Sequence, residues 1–124
     1  MKYISKVLLY NIDDIRLSLI KNFFAENNIE YINVRKQDYL KTIASLLELE
    51  DSDYQTYMEK GFTEEMAVLF NFDNDLLDCF LNYFKDNRIP GIRLKAIFTP
   101  TNTNWNSIEL YEELTKEANY YKQK

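Results

Sequence analysis

Histidine is absent from this chain, and cysteine occurs once, as Cys79. Without histidine there is no side chain whose ordinary pKa lies near neutrality, no imidazole for zinc and no partner for a Ser-His or Cys-His nucleophile. A single cysteine excludes an intrachain disulfide and a thiolate metal cluster. Glycine and proline occur twice each, which leaves no Gly- or Pro-rich tract to mark a linker or a low-complexity segment. No run approaches the roughly 20 apolar residues that span a bilayer, and Met1 to Lys6 lacks an apolar stretch of signal-peptide length. A cytoplasmic location is expected. Cations are outnumbered as well: 15 basic against 20 acidic residues give a formal charge of −5. That balance repels phosphate backbones and anionic lipid headgroups, so neither nucleic acid nor membrane is expected as a partner.

What the chain does hold is apolar area. Hydrophobic residues make up 46% of its 124 positions and aromatics 15%, enough to offset the entropy of ordering one core but not two independent ones. One domain is expected. Laying Val7 to Ile29 over Ala67 to Ile89, at an offset of 60, gives eight identities in 23 ungapped positions: Leu9, Asn11, Asp13, Leu17, Asn22, Phe24, Asn27 and Ile29 recur. Ile32 over Ile92 and Val34 over Leu94 continue the likeness more weakly. The chain therefore reads as two pseudo-repeats, about 6–47 and 66–121, joined by an acidic connector over 48–63. In the connector, Asp53 to Lys60 is predicted to form a helical turn or two, with Tyr54 and Tyr57 packing beneath it.

Each copy opens on an apolar run, Val7-Leu8-Leu9-Tyr10 or Ala67-Val68-Leu69-Phe70, suited to a strand buried on both faces. Asp13 and Asp73 follow as N-caps, since a short carboxylate accepts the free N–H groups of a first helical turn. Leu17, Ile20, Phe23 and Phe24, and in the twin Leu77, Phe80, Leu81 and Phe84, recur at helical spacing and predict one buried stripe per helix. Asn27-Asn28 and Asn87-Arg88 are placed to end those helices. The second strands alternate, Ile32 and Val34 in one copy and Ile92, Leu94, Ala96 and Phe98 in the other, which implies one buried and one wetter face. A closing helix is predicted over about 38–47 and about 106–121, the latter with Asn106 and Glu109 as a capping box. Together these elements predict an α/β (α+β) fold, a four-stranded ferredoxin-like sheet of duplicated βαβ units with both repeat helices on one face. A wholly parallel doubly wound sheet is the alternative.

The densest unusual stretch runs from Leu94 to Trp105, a strand entering a polar loop that carries the only tryptophan. Here the sequence resembles a bacterial family catalogued as domain of unknown function 3783, whose pattern is roughly apolar-Lys-Ala-x-x-Thr-x-x-Asn-x-x-Trp followed by an acidic helix. Lys95, Ala96, Thr99, Asn102 and Trp105 match it position by position, and residues 109–114 resemble its closing helix, so the likeness covers roughly 64–117. The resemblance implies a fold and attaches no activity.

Two readings of the loop stand side by side. In one, Pro100, Thr101 and the asparagines shape a strand-to-helix turn that Trp105 anchors. In the other, Lys95, Thr99, Asn102, Asn104 and Trp105 bind a small ligand or a partner, with Trp105 as an apolar wall. Asp13, Asp14, Asp73 and Asp75 would hold a metal only if their two turns met, so no metal or cofactor is assigned. Cys79 lies in an apolar stripe and reads as an inert core or core-edge residue. Tyr3, Tyr111, Tyr120 and Tyr121 form either an aromatic patch or packing for the last helix. No catalytic residue is assigned. The expected role is that of a non-catalytic protein-interaction or regulatory module with a protein partner or a second copy of the chain; a small-molecule sensor or enzyme with its pocket at Lys95 to Trp105 is the alternative.

Overall fold

A computed structural model describes residues 4–51 and 55–122, the last three as backbone only. Tyr3, Asp53, Tyr54 and the side chains of Tyr120 and Tyr121 therefore lie outside the described residues. The elements run β1 (Ser5–Tyr10), α1 (Asp14–Glu26), β2 (Ile29–Asn33), a 3-10 turn (Lys36–Asp38), α2 (Ile43–Leu46), β3 (Met66–Phe70), α3 (Asn74–Asp86), β4 (Leu94–Ile97) and α4 (Ser107–Lys122).

Helices α1 and α3 start and stop as their sequences dictate. Asp13 accepts from the Arg16 N–H at 2.8 Å, and Asp73 from the Leu76 N–H at 2.7 Å. At the far ends the Asn27 and Asn87 carboxamides donate to the carbonyls of Phe23 and Tyr83. Asn28 and Arg88 then take the left-handed conformation, φ 56° and 55°. Asn106 and Glu109 cap α4 reciprocally, at 3.0 and 2.9 Å. The helix predicted over 38–47 is only the single turn of α2, capped by Thr42. Tyr39 is buried ahead of it, and Thr42 pairs with Asn106 as an isolated bridge, which holds residues 39–42 out of helical form. No helix forms over 55–60.

The four strands make one mixed sheet in the order β2-β1-β3-β4. β1 and β2 are parallel, β3 and β4 are parallel, and β1 meets β3 antiparallel at the centre. The apolar first strands are indeed the inner pair and the alternating second strands the edges. The order is nevertheless not ferredoxin-like, because each helix joins strands that are direct neighbours with no strand between them. The antiparallel centre also excludes the wholly parallel alternative. Apolar character distinguishes inner from edge strands but does not say which edge each second strand takes. The observed order lets each helix lie over the two strands it connects.

Helices cover both faces. On one, Val7, Leu9, Ala67 and Leu69 pack under α1 and α3 with Leu17, Ile20, Phe23, Phe24, Phe80 and Phe84. On the other, Leu8, Tyr10, Met66 and Val68 pack under α2 and α4 with Ile43, Leu47 and Leu110. The connector enters this second layer: Phe62 stacks on Tyr39 at 4.7 Å and on Tyr111 at 4.1 Å, and Tyr57 lies against Tyr39. Leu81, expected in the buried stripe of α3, is 42% exposed, and Cys79 faces solvent rather than the core.

Beyond their helices the first unit, β1-α1-β2, and the second, β3-α3-β4, no longer correspond at an offset of 60. Tyr31 lies opposite Val7 and Lys95 opposite Ala67, so the edge strands correspond at an offset of 64, not 60. The partner in register of Ile32 is thus Ala96, and Ile92 precedes the strand. The extra length falls around Pro90 and Gly91, between α3 and β4.

Candidate functional site

The residues expected to form one site are distributed over three places. Alternation along β4 sends Leu94 and Ala96 into the α2/α4 layer and Lys95 and Ile97 towards the α1/α3 layer. Trp105 packs in the α2/α4 layer. Lys95 and Trp105 are thus on opposite faces of the sheet.

Thr99 and Asn102 lie at the outer edge of β4. The Phe98 N–H donates inward to Leu69 O of β3 at 2.9 Å, so the neighbouring Ile97 and Thr99 backbone groups face outward. The Asn102 carboxamide takes both: the Thr99 N–H donates to its Oδ1 at 2.9 Å, and its Nδ2 donates to Ile97 O at 3.1 Å. One side chain, 7% exposed, occupies the place of the next strand. This closes part of an edge that would otherwise offer a template for strand pairing. Thr103 Oγ1 donates to Thr99 O at 2.9 Å and tightens the same turn. The Trp105 carbonyl accepts from the Ile43 N–H at 2.8 Å, joining the loop to α2. Asn104 is exposed in the turn. A broad depression of about 680 Å³ lies beside Trp105, along Glu109, Glu112, Glu113 and Lys116 of α4.

Lys95 belongs to a different concavity. A groove of about 270 Å³ runs between α3 and β4, with Phe80, Phe84, Ile89 and Ile92 as apolar lining and Lys85 and Lys95 as its cations. Lys95 Nζ donates to Ile92 O at 2.6 Å. Loss of surrounding water lowers its pKa below the usual lysine value. No carboxylate pairs with Lys85 or Lys95 among the described residues.

The corresponding space in the first unit is filled. Tyr31, opposite Val7, stacks on Phe24 of α1 with ring centroids 5.4 Å apart. The end wall of the α3–β4 groove is held from the other unit by Arg16, which the sequence reading passed over. Its guanidinium, on a residue only 8% exposed, pairs with Asp13 at 2.8 Å and with Glu65, and donates to Pro90 O and Gly91 O, each at 3.2 Å. Asp13, accepting from the Arg16 backbone and side chain, is held below its usual carboxylate range. The signal for this wall was present in the sequence as the extra length at Pro90-Gly91, hidden by an alignment carried through at one offset.

Residues 65–121 match the family model described as Domain of unknown function (DUF3783). The DUF3783-like segment spans β3, α3, β4 and nearly all of α4, and so includes the whole groove lining and the Asn102 edge cap. No curated protein and no solved structure matches the chain. Among the described residues no cluster of three His, Cys, Asp or Glu side chains is arranged to hold a metal ion, and no helix is long and apolar enough to cross a membrane.

Proposed function

We propose that this chain is one domain of two pseudo-repeats, about 6–47 and 66–121, acting as a non-catalytic binding module whose recognition site is the α3–β4 groove. The observation that carries this reading is the difference at one place in the register: Tyr31 closes the space between α1 and its edge strand, while Lys95 leaves the matching space open. An apolar groove with a cation at its wall is the usual make-up of a site that buries the body of a ligand and orients it by one polar contact. Support for one domain comes from the shared layers, in which Phe23 of α1 meets Phe80 and Tyr83 of α3 at 5.7 and 5.1 Å. The Thr99 and Asn102 polar atoms are engaged with each other and with the backbone, so they serve the loop and the strand edge. A non-catalytic role fits a lining whose titratable groups, among the described residues, are Lys85 and Lys95, with no carboxylate, thiol or hydroxyl beside them to serve as a general acid or base.

A fragment screen read by backbone amide chemical shifts tests the site. The expected hits perturb residues 80–85 and 89–95 together. Hits confined to Trp105 and the acidic face of α4, or to none of these positions, contradict the reading.

A further inference from the structure

The groove carries two features that select its ligand. Its volume, about 270 Å³, lies just below the range of roughly 300–1,000 Å³ found for pockets that take drug-sized ligands, and suits one short aliphatic chain better than a nucleotide. Its charge is the second feature. On a chain with a formal net charge of −5, this groove holds two lysines and no carboxylate. The Lys95 ammonium has a backbone carbonyl, Ile92 O, as its hydrogen-bond partner, leaving two of its three N–H donors for an incoming acceptor. Around it the lining is aromatic and aliphatic, from Phe80, Phe84, Ile89 and Ile92.

Resting on the groove as the recognition site, we infer that its ligand is a small aliphatic monocarboxylate, with the carboxylate on Lys95 and the hydrocarbon chain along Phe80 and Phe84. A carboxylate satisfies the cation by a charge-assisted hydrogen bond, stronger than the neutral bond an alcohol would make. An amine of the same chain length meets two like charges.

The test uses the full chain with hexanoate, hexanol and hexylamine, followed by amide chemical shifts, on the wild type and on Lys95→Met and Lys95→Tyr. Lys95→Met keeps the apolar stem and removes the charge; Lys95→Tyr places at this position the residue that fills the first unit. Retained thermal melting and amide dispersion show that each variant folds. The expected result is that hexanoate binds in the groove, roughly tenfold or more tightly than hexanol, a difference of about 1.4 kcal/mol. Hexylamine does not bind, Lys95→Met brings hexanoate to the level of hexanol, and Lys95→Tyr abolishes both. Hexanol binding in the groove as tightly as hexanoate, or hexanoate binding unchanged in Lys95→Met, overturns the carboxylate assignment and leaves the groove as a site. Hexanoate producing no shifts in the groove overturns the assignment as well, and the fragment screen then decides whether the groove is a site at all.

Discussion

Tyr31 stacks on Phe24, and through that contact the first unit closes the space that the second unit leaves open beside Lys95. The two units cap their helices with the same residues and pair their strands in the same parallel sense. They differ in what lies between the helix and the edge strand. Lys95→Tyr is expected to copy the closed arrangement, and burying the ring against Phe80 and Phe84 should raise stability by about 1 kcal/mol. Urea unfolding checks this: a midpoint at or below that of the wild type would mean that the groove cannot accept a ring.

Asn102 gives a second prediction, at the strand edge. Asn102→Ala removes both carboxamide bonds and leaves the outward Ile97 carbonyl and Thr99 N–H without it, at an expected cost of about 1–3 kcal/mol. Asn102→Asp keeps the acceptor for Thr99 but sets an anionic oxygen against Ile97 O, and is expected to be no better than alanine. Both variants should also self-associate with rising concentration in light scattering, because β4 then presents an open edge. A variant that stays fully stable and monomeric would show that the loop closes the edge without this side chain.

Tyr10 and Ser107 share a buried hydrogen bond of 2.6 Å, with Ser107 wholly enclosed. Tyr10→Phe leaves the Ser107 hydroxyl without this partner and should cost about 1–3 kcal/mol. Burial raises the Tyr10 pKa strongly and the Tyr39 pKa in the same direction. Since the unfolded chain ionises its tyrosines first, it binds fewer protons than the native state above the ordinary tyrosine value of 10.0. Stability is therefore fully present below about pH 10 and falls as pH rises past it. Tyr10→Phe should flatten that alkaline decline; an unchanged slope in a denaturation series at alkaline pH would count against it.

Arg88 ends α3 in the left-handed conformation, φ 55°, where Asn28 ends α1. Asparagine takes this region more readily than arginine, which adopts it at a cost, so Arg88→Gly is expected to stabilise the chain by about 1 kcal/mol. A lower melting temperature in Arg88→Gly would mean that the arginine side chain makes a contact worth more than the backbone strain.

Much of the fold was legible because its determinants are local. Asp13, Asp73, Asn106 and Glu109 act within one helical turn of themselves, and the apolar runs at Val7 and Ala67 identify inner strands by composition alone. Strand order was not legible, because β1 and β3 are central in either arrangement. The candidate site was legible only in Lys95. Asn102 and Trp105 lie near Lys95 in sequence, but β4 ends at Ile97, and the turn that follows carries Asn102 to the strand's outer edge and Trp105 into the layer on the opposite face of the sheet. The groove's remaining lining comes from α3 and from the Pro90-Gly91 segment, which Arg16 holds from the opposite unit across 74 and 75 residues of chain.

The most direct measurement is of contacts between bound hexanoate and the protein, by intermolecular nuclear Overhauser effects on the full chain. The terminal methyl of the ligand is expected to show cross-peaks to the ring protons of Phe80 and Phe84, and the methylene beside its carboxylate to the Lys95 ε-methylene. Cross-peaks to Trp105 and Tyr111 instead, or none to α3 while hexanoate is bound, would contradict the α3–β4 groove as the recognition site.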